Sequence, residues 1–177
     1  MTTATQTPAA VNAIKSPKQQ FVEAFDRETA TTLKVLRAYP EDQSELRPQE
    51  KMKTARELAA MFTMEMAAID ATVRGTFTFP PKLPQMPQNW QEVIDAFEKT
   101  RARTIEGLRE VTDESLASDT VSFPTAPKTV GQWQKLPFAW FLLFDQIHHR
   151  GQLSVYLRLA GGKLPSIYGP TADEPWT

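Results

Sequence analysis

Asp145 and His149 stand four residues apart inside the most apolar stretch of the chain, Phe138 to Leu159. On an α-helix that spacing puts a carboxylate and an imidazole on one face, one turn apart. Such a pair of donors suits zinc, iron, manganese or nickel. Gln152 and Tyr156 continue the same face in a 4-3-4 pattern. The spacing also fits a plain ion pair, with Asp145 orienting His149 or meeting Arg150 and nothing else bound. His148, the other histidine of the chain, points about 100° away around the axis, toward a helix interface or solvent.

A second candidate group lies upstream. Glu65 falls within an otherwise apolar run, Leu58 to Ile69, where an unpaired polar side chain costs free energy if buried. It reads as a third metal ligand reaching across to His149, or as part of a solvated face or an ion pair with Arg74. Met61 lies one turn before Glu65. Its thioether is a soft ligand compatible with copper(I), and it is equally an ordinary core side chain. Gly151 costs a helix interior about 1 kcal/mol relative to alanine, so it points to the close approach of a neighbouring helix or a second subunit. Arg150 is expected to bridge to Asp173 and Glu174 in the C-terminal tail.

These residues need helices to position them, and the sequence supplies four. The first is expected over Pro17–Ala38, with Ser16 as cap, Pro17 in the first turn and Phe21, Phe25, Leu33 and Leu36 on its apolar stripe. The second opens on a capping-box pattern, Thr54-Ala55-Arg56-Glu57, and ends near Arg74-Gly75. A proline-rich link, Phe79 to Pro87, follows. The third starts near Asn89, carries Val93, Ile94, Phe97, Ile105 and Leu108, and closes at Val111-Thr112-Asp113. Asp119 to Val130, with Pro124 and Pro127 among β-branched residues, reads as a loop or short hairpin. The fourth helix spans Leu136 to Ala160 and stops at Gly161-Gly162. Beyond it the tail lacks helical period, and Leu164, Ile167, Tyr168 and Trp176 are expected to pin it. The expected fold is all-α: a four-helix bundle with extended connections and an irregular C-terminal tail. Residues 1–16 form an expected disordered tail and 17–177 a single domain.

Composition narrows the function. A net charge of -1, with basic and acidic residues interleaved, argues against nucleic acid or anionic membrane as partner. There is no cysteine, hence no disulfide, thiolate ligand or cysteine nucleophile. No phosphate loop, nucleotide fingerprint or nucleophile elbow is present. With neither a secretory signal nor a membrane-spanning run, a cytoplasmic protein is expected.

The stretch His148-His149-Arg150-Gly151-Gln152-Leu153-Ser154-Val155-Tyr156-Leu157-Arg158, with Pro165-Ser166-Ile167-Tyr168-Gly169-Pro170-Thr171-Ala172-Asp173-Glu174 and Thr54-Ala55-Arg56-Glu57-Leu58-Ala59, resembles the DinB-like superfamily of small four-helix proteins. The resemblance covers nearly all of the chain after the N-terminal tail. It implies a divalent-metal site of three histidines, one on helix two and two on helix four. Here His149 matches the last of these, Asp145 stands in place of the other helix-four histidine, and Met61 in place of the one on helix two. The ligand set implied for this chain is Asp145, His149 and Glu65, with Met61 a weaker candidate. It is richer in carboxylate than the family's, and so leans toward iron, manganese or magnesium rather than tight zinc binding. The resemblance also implies a metal-dependent thiol transferase or hydrolase acting on small molecules, and a homodimer. The alternative is a stress-related or ligand-binding scaffold that has lost the metal.

Overall fold

The computed structural model describes residues 14–81 and 85–176. The chain is mostly helical, with one small two-stranded sheet. Helix α1 (Pro17–Ala38) begins with a full capping box: Ser16 Oγ accepts from the Gln19 amide, and the Gln19 side chain accepts from the Ser16 amide. Helix α2 (Ala55–Val73) repeats the device with Thr54 and Glu57. It ends at Gly75, whose φ of 70° is a left-handed conformation that glycine adopts without a Cβ clash. Helix α3 (Trp90–Glu110) is capped by Asn89. Three of the four expected helix starts are therefore fixed by side chains that satisfy otherwise orphaned amides.

Two elements depart from expectation. After α3 the chain does not go straight into a loop. Thr112 caps a short helix, α4 (Asp113–Ser118). Strands β1 (Thr120–Ala126) and β2 (Thr129–Gln134) then form an antiparallel hairpin, so the all-α expectation is corrected and the hairpin reading of this stretch holds. Pro124 is tolerated because only two strands pair and the register shifts between Pro124 and Ala126. A two-stranded ribbon alone is marginal in water. This one survives because Val121 is buried and the Phe123 and Trp133 rings lie against Phe138. β2 runs directly into α5 (Lys135–Leu159), and the Lys135 amide donates to Asp119 O.

Helix α2 packs between α3 and α5, and α1 packs across α3 and α5. Phe21, Phe25, Phe62, Met66, Ile69, Phe97, Phe138 and Leu153 meet in one core. Burial of each large apolar side chain contributes roughly 1.5–3 kcal/mol. Trp90 Nε1 donates to Leu36 O at 2.9 Å across the core.

The tail after α5 is pinned differently from expectation. Arg150 is buried and turns to α1, donating to Glu28 Oε2 (2.7 Å), Glu28 O (2.9 Å) and Tyr168 Oη (2.6 Å). Tyr168 Oη donates in turn to the same Glu28 oxygen at 2.6 Å. Asp173 instead meets Arg158 (3.0 Å) and the Leu164 amide, and Glu174 accepts from the Ser166 amide. Leu164 and Ile167 pack on the core, whereas Trp176 is exposed. Nor is Gly151 a site of close approach within the chain. A Cβ there would meet nothing within 4 Å, while one at Gly107 would press on Val73 of α2 and on Arg74, which caps it. Most of the expected N-terminal tail lies outside the described residues; Lys15 and Ser16 are held against α1.

Candidate metal centre

Helices α2 and α5 lie side by side, and each contributes to one cluster. α5 brings Asp145 and His149 onto a common face, and α2 brings Glu65 opposite them. One donor atom from each of the three residues lies within 4.8 Å of the other two. His149 Nδ1 and Glu65 Oε1 are 2.6 Å apart, a charge-assisted hydrogen bond. Glu65 is only 5% exposed, and its other carboxylate oxygen, Oε2, has no partner. Among the described residues Asp145 makes no ion pair or hydrogen bond, so neither expected pairing, with His149 or with Arg150, is formed. Arg74, the alternative partner for Glu65, is held by Asp70 at 2.9 Å.

Burial pushes the Glu65 carboxyl up to about 7. The hydrogen bond and charge of His149 pull the other way, and the nearby Asp145 charge adds to the rise. The hydrogen bond to Glu65 raises the His149 imidazole above its ordinary value, against the effect of burial. The two groups therefore titrate as one coupled pair.

Not every expected member joins the cluster. Gln152 is exposed and its amide donates to His148 Nε2 at 2.8 Å on the outer surface. Seven residues fall about 20° short of two full turns, and an outward partner one turn back takes Gln152 away. Tyr156 is buried, but its hydroxyl donates to Lys53 O. Met61 lies not among the three donors but in the wall of an adjoining pocket.

That pocket is about 350 Å³, and its apolar lining was not legible in the sequence. Glu65 and Asp145 border it, and Met64, Phe77, Phe138 and Leu142 wall it with Met61. The two connecting segments on either side of α3 contribute Thr76, Phe77, Thr78, Pro81 and Phe123. A size of 300 Å³ or more and mostly apolar walls with a few convergent polar groups are usual for small-molecule sites (about 300–1,000 Å³).

The donor set fits a divalent ion. Two carboxylates and an imidazole suit iron(II), manganese(II) or zinc, and an unpartnered buried oxygen is the kind of atom a cation satisfies.

Comparison with known proteins agrees with the fold. The sequence model of the DinB family matches residues 10–176. The uncharacterised protein YrdA of Bacillus subtilis is 24% identical over 157 residues, spanning 87% of this chain and 89% of YrdA. Among solved structures, a DinB-like protein of Bacillus cereus superposes with a TM-score of 0.70 at 23% identity, over 84% of this chain and 95% of that one. The DinB-like protein YjoA of Bacillus subtilis gives 0.67 at 20% identity, over 84% and 97%.

Proposed function

Because the chain belongs to the DinB family, we propose that Glu65, Asp145 and His149 form a divalent-metal centre serving small-molecule chemistry in the adjoining pocket. The observation that carries this reading is the buried, half-partnered Glu65 facing two further donors across α2 and α5. Asp145 and His149 are the principal ligands, and Met61 is pocket wall. A divalent ion held there supplies Lewis-acid polarisation and lowers the pKa of a bound water or thiol, the chemistry of a hydrolase or thiol transferase. Glu65 completes the donor set or takes a proton. A carboxylate with pKa near 7 is matched to general-base work at neutral pH. The four long helices are read as one four-helix bundle and a single domain that positions the site.

Metal analysis by mass spectrometry, followed by calorimetric titration with manganese, iron(II), nickel and zinc, tests the proposal. Expected are near-stoichiometric uptake, its loss in His149→Ala and Asp145→Ala, and a retained fold by circular dichroism. Glu65→Gln separates the two roles of Glu65: metal retained with activity lost marks a base, metal lost marks a ligand.

A second reading has its own observation. The 2.6 Å contact pairs His149 Nδ1 with Glu65 Oε1 without an ion, as in a ligand-binding scaffold without metal chemistry. Absence of uptake across the four metals, with thermal stability falling in His149→Ala but not in Asp145→Ala, supports that reading instead.

A homodimer is also proposed, through the outer face of α5. Phe141, Phe144, Val155 and Leu159 are exposed there, with His148 and Gly151 between them. Their three- and four-residue steps trace a seam like that of a coiled coil. The described helices include none long and apolar enough to cross a membrane, and a cytoplasmic location fits this reading.

A further inference from the structure

We infer that the pocket bordered by Glu65 and Asp145 selects an uncharged small molecule with an apolar body and rejects anionic ones. The inference deepens the reading of the same site and rests on it for what lies at the polar end.

The wall chemistry carries the argument. Three alanines of α2, Ala67, Ala68 and Ala71, leave the space. Met61, Met64, Phe77, Phe123, Phe138 and Leu142 supply its surface. Such a lining favours a hydrocarbon or aromatic body, which leaves water on entry. The ring faces of Phe77, Phe123 and Phe138, where presented, carry negative quadrupole charge and attract no anion.

The charge pattern supplies the second half. Among the described lining residues the charged groups are Glu65 and Asp145, and there is no lysine, arginine or histidine. An anionic substituent would give up hydration without gaining a cationic partner, and would face two carboxylates. Two cations beyond the lining are engaged elsewhere. Lys135 is held by Asp119 (2.8 Å) and Ser115 (2.9 Å), and Arg74 by Asp70 and Glu110. A divalent ion on two carboxylates and a neutral imidazole leaves that end with no net charge, so it creates no general attraction for polyanions. Thr76 and Thr78 are the uncharged polar groups of the lining, and both are exposed. They suit a neutral hydroxyl or carbonyl.

The test uses the full-length protein and two probes of nearly equal size, benzyl alcohol and benzoate. Ligand-observed NMR on metal-free protein is expected to show benzyl alcohol bound at least about tenfold more tightly than benzoate. Ala71→Trp, which fills the space, abolishes that signal. Thr78→Arg, an exposed change, gives the site a cation and brings benzoate binding up toward that of the alcohol. Benzoate binding as well as the alcohol in the unaltered protein would overturn the inference. So would alcohol binding that survives in a folded Ala71→Trp protein, or the absence of alcohol binding altogether. Should Ala71→Trp not fold, the Thr78→Arg comparison decides alone. Cobalt(II) uptake, read by its visible absorption and its response to acetohydroxamate, tests the metal reading separately. A protein that takes no cobalt yet discriminates the two aromatic probes refutes the metal centre and leaves the pocket inference standing.

Discussion

At the proposed metal centre a proton and a metal ion would compete for the same atoms of Glu65 and His149. Burial raises the Glu65 carboxyl to about 7, and Glu65 raises the His149 imidazole. Metal binding needs the carboxylate ionised and the imidazole neutral, so both displaced protons oppose it at low pH. Apparent affinity is therefore expected to rise as pH climbs from 6 through 8. Titrations in buffers of different ionisation enthalpy should register proton release on binding, and a flat affinity across that range contradicts the coupling. Asp145 and His149 were legible in the sequence because a one-turn spacing is local. Glu65 was legible as a carboxylate in an apolar run. Gln152 and Tyr156 share the same nominal face, yet nothing in spacing reveals that His148 and Lys53 O are their partners.

The Glu28–Arg150–Tyr168 network is the other place where single residues decide much. Burial works to raise the Glu28 carboxyl, but hydrogen bonds from Tyr168 and Arg150, with the Arg150 charge, override it and hold the group below its ordinary value. A depressed carboxylate contributes stability that is full above its unfolded pKa and is lost as pH falls through the folded one. Acid should thus loosen the junction of α1, α5 and the tail below about pH 4.5, the ordinary value for Glu28. Arg150→Ala leaves the buried Glu28 with only the largely exposed Arg27 and Tyr168 as partners and is expected to lower stability by about 3 kcal/mol. Tyr168→Phe removes one hydroxyl and should lower it by about 1 kcal/mol. Urea unfolding followed by circular dichroism orders the two variants, and equal effects would mean that Arg150 is not the anchor.

At the scale of elements, caps explain what could be read and cooperation explains what could not. Ser16, Thr54 and Asn89 announce their helices locally, so the starts of α1, α2 and α3 follow from residues within one turn. Helix α4 has six residues, too few to show a period. The hairpin is held by contacts distant in sequence, chiefly Phe123 on Phe77 and Phe138. The α2 side of the pocket is illegible for the same reason, since Ala67, Ala68 and Ala71 look like ordinary helix formers until Phe77 and Phe123 close over them. Phe123→Ala is expected to destabilise the protein by about 2 kcal/mol, below the full core value because the ring is only half-buried. Hydrogen exchange should show the β1–β2 amides opening faster in that variant while the amides of α2 and α5 keep their protection. Uniform acceleration would instead make the hairpin part of the global unfolding unit.

At the scale of the whole molecule, the proposed homodimer rests on the outer face of α5. Phe144, Val155 and Leu159 are each 59% exposed. Along the helix, Phe141, Phe144, His148, Gly151, Val155 and Leu159 advance by three or four residues, which keeps them in one line. Gly151 lies near the middle of that line, with nothing from its own chain within 4 Å of where a Cβ would stand. A glycine that weakens the helix without making room for its own fold makes sense where a second copy crosses. A two-fold crossing near Gly151 brings Phe144 and Val155 of each copy toward the partner's seam, as a self-complementary contact requires. His149, which faces Glu65 of α2, lies about 120° around the axis from Val155, so a change at Val155 should leave the proposed metal site intact. Val155→Glu is expected to convert a dimer to a monomer in light scattering while leaving metal uptake and helical content unchanged. Gly151→Leu, which thickens the crossing without adding charge, should weaken the dimer by a smaller margin. A wild-type protein that scatters as a monomer at every concentration eliminates the contact, and the seam would then be an apolar face of a monomeric protein.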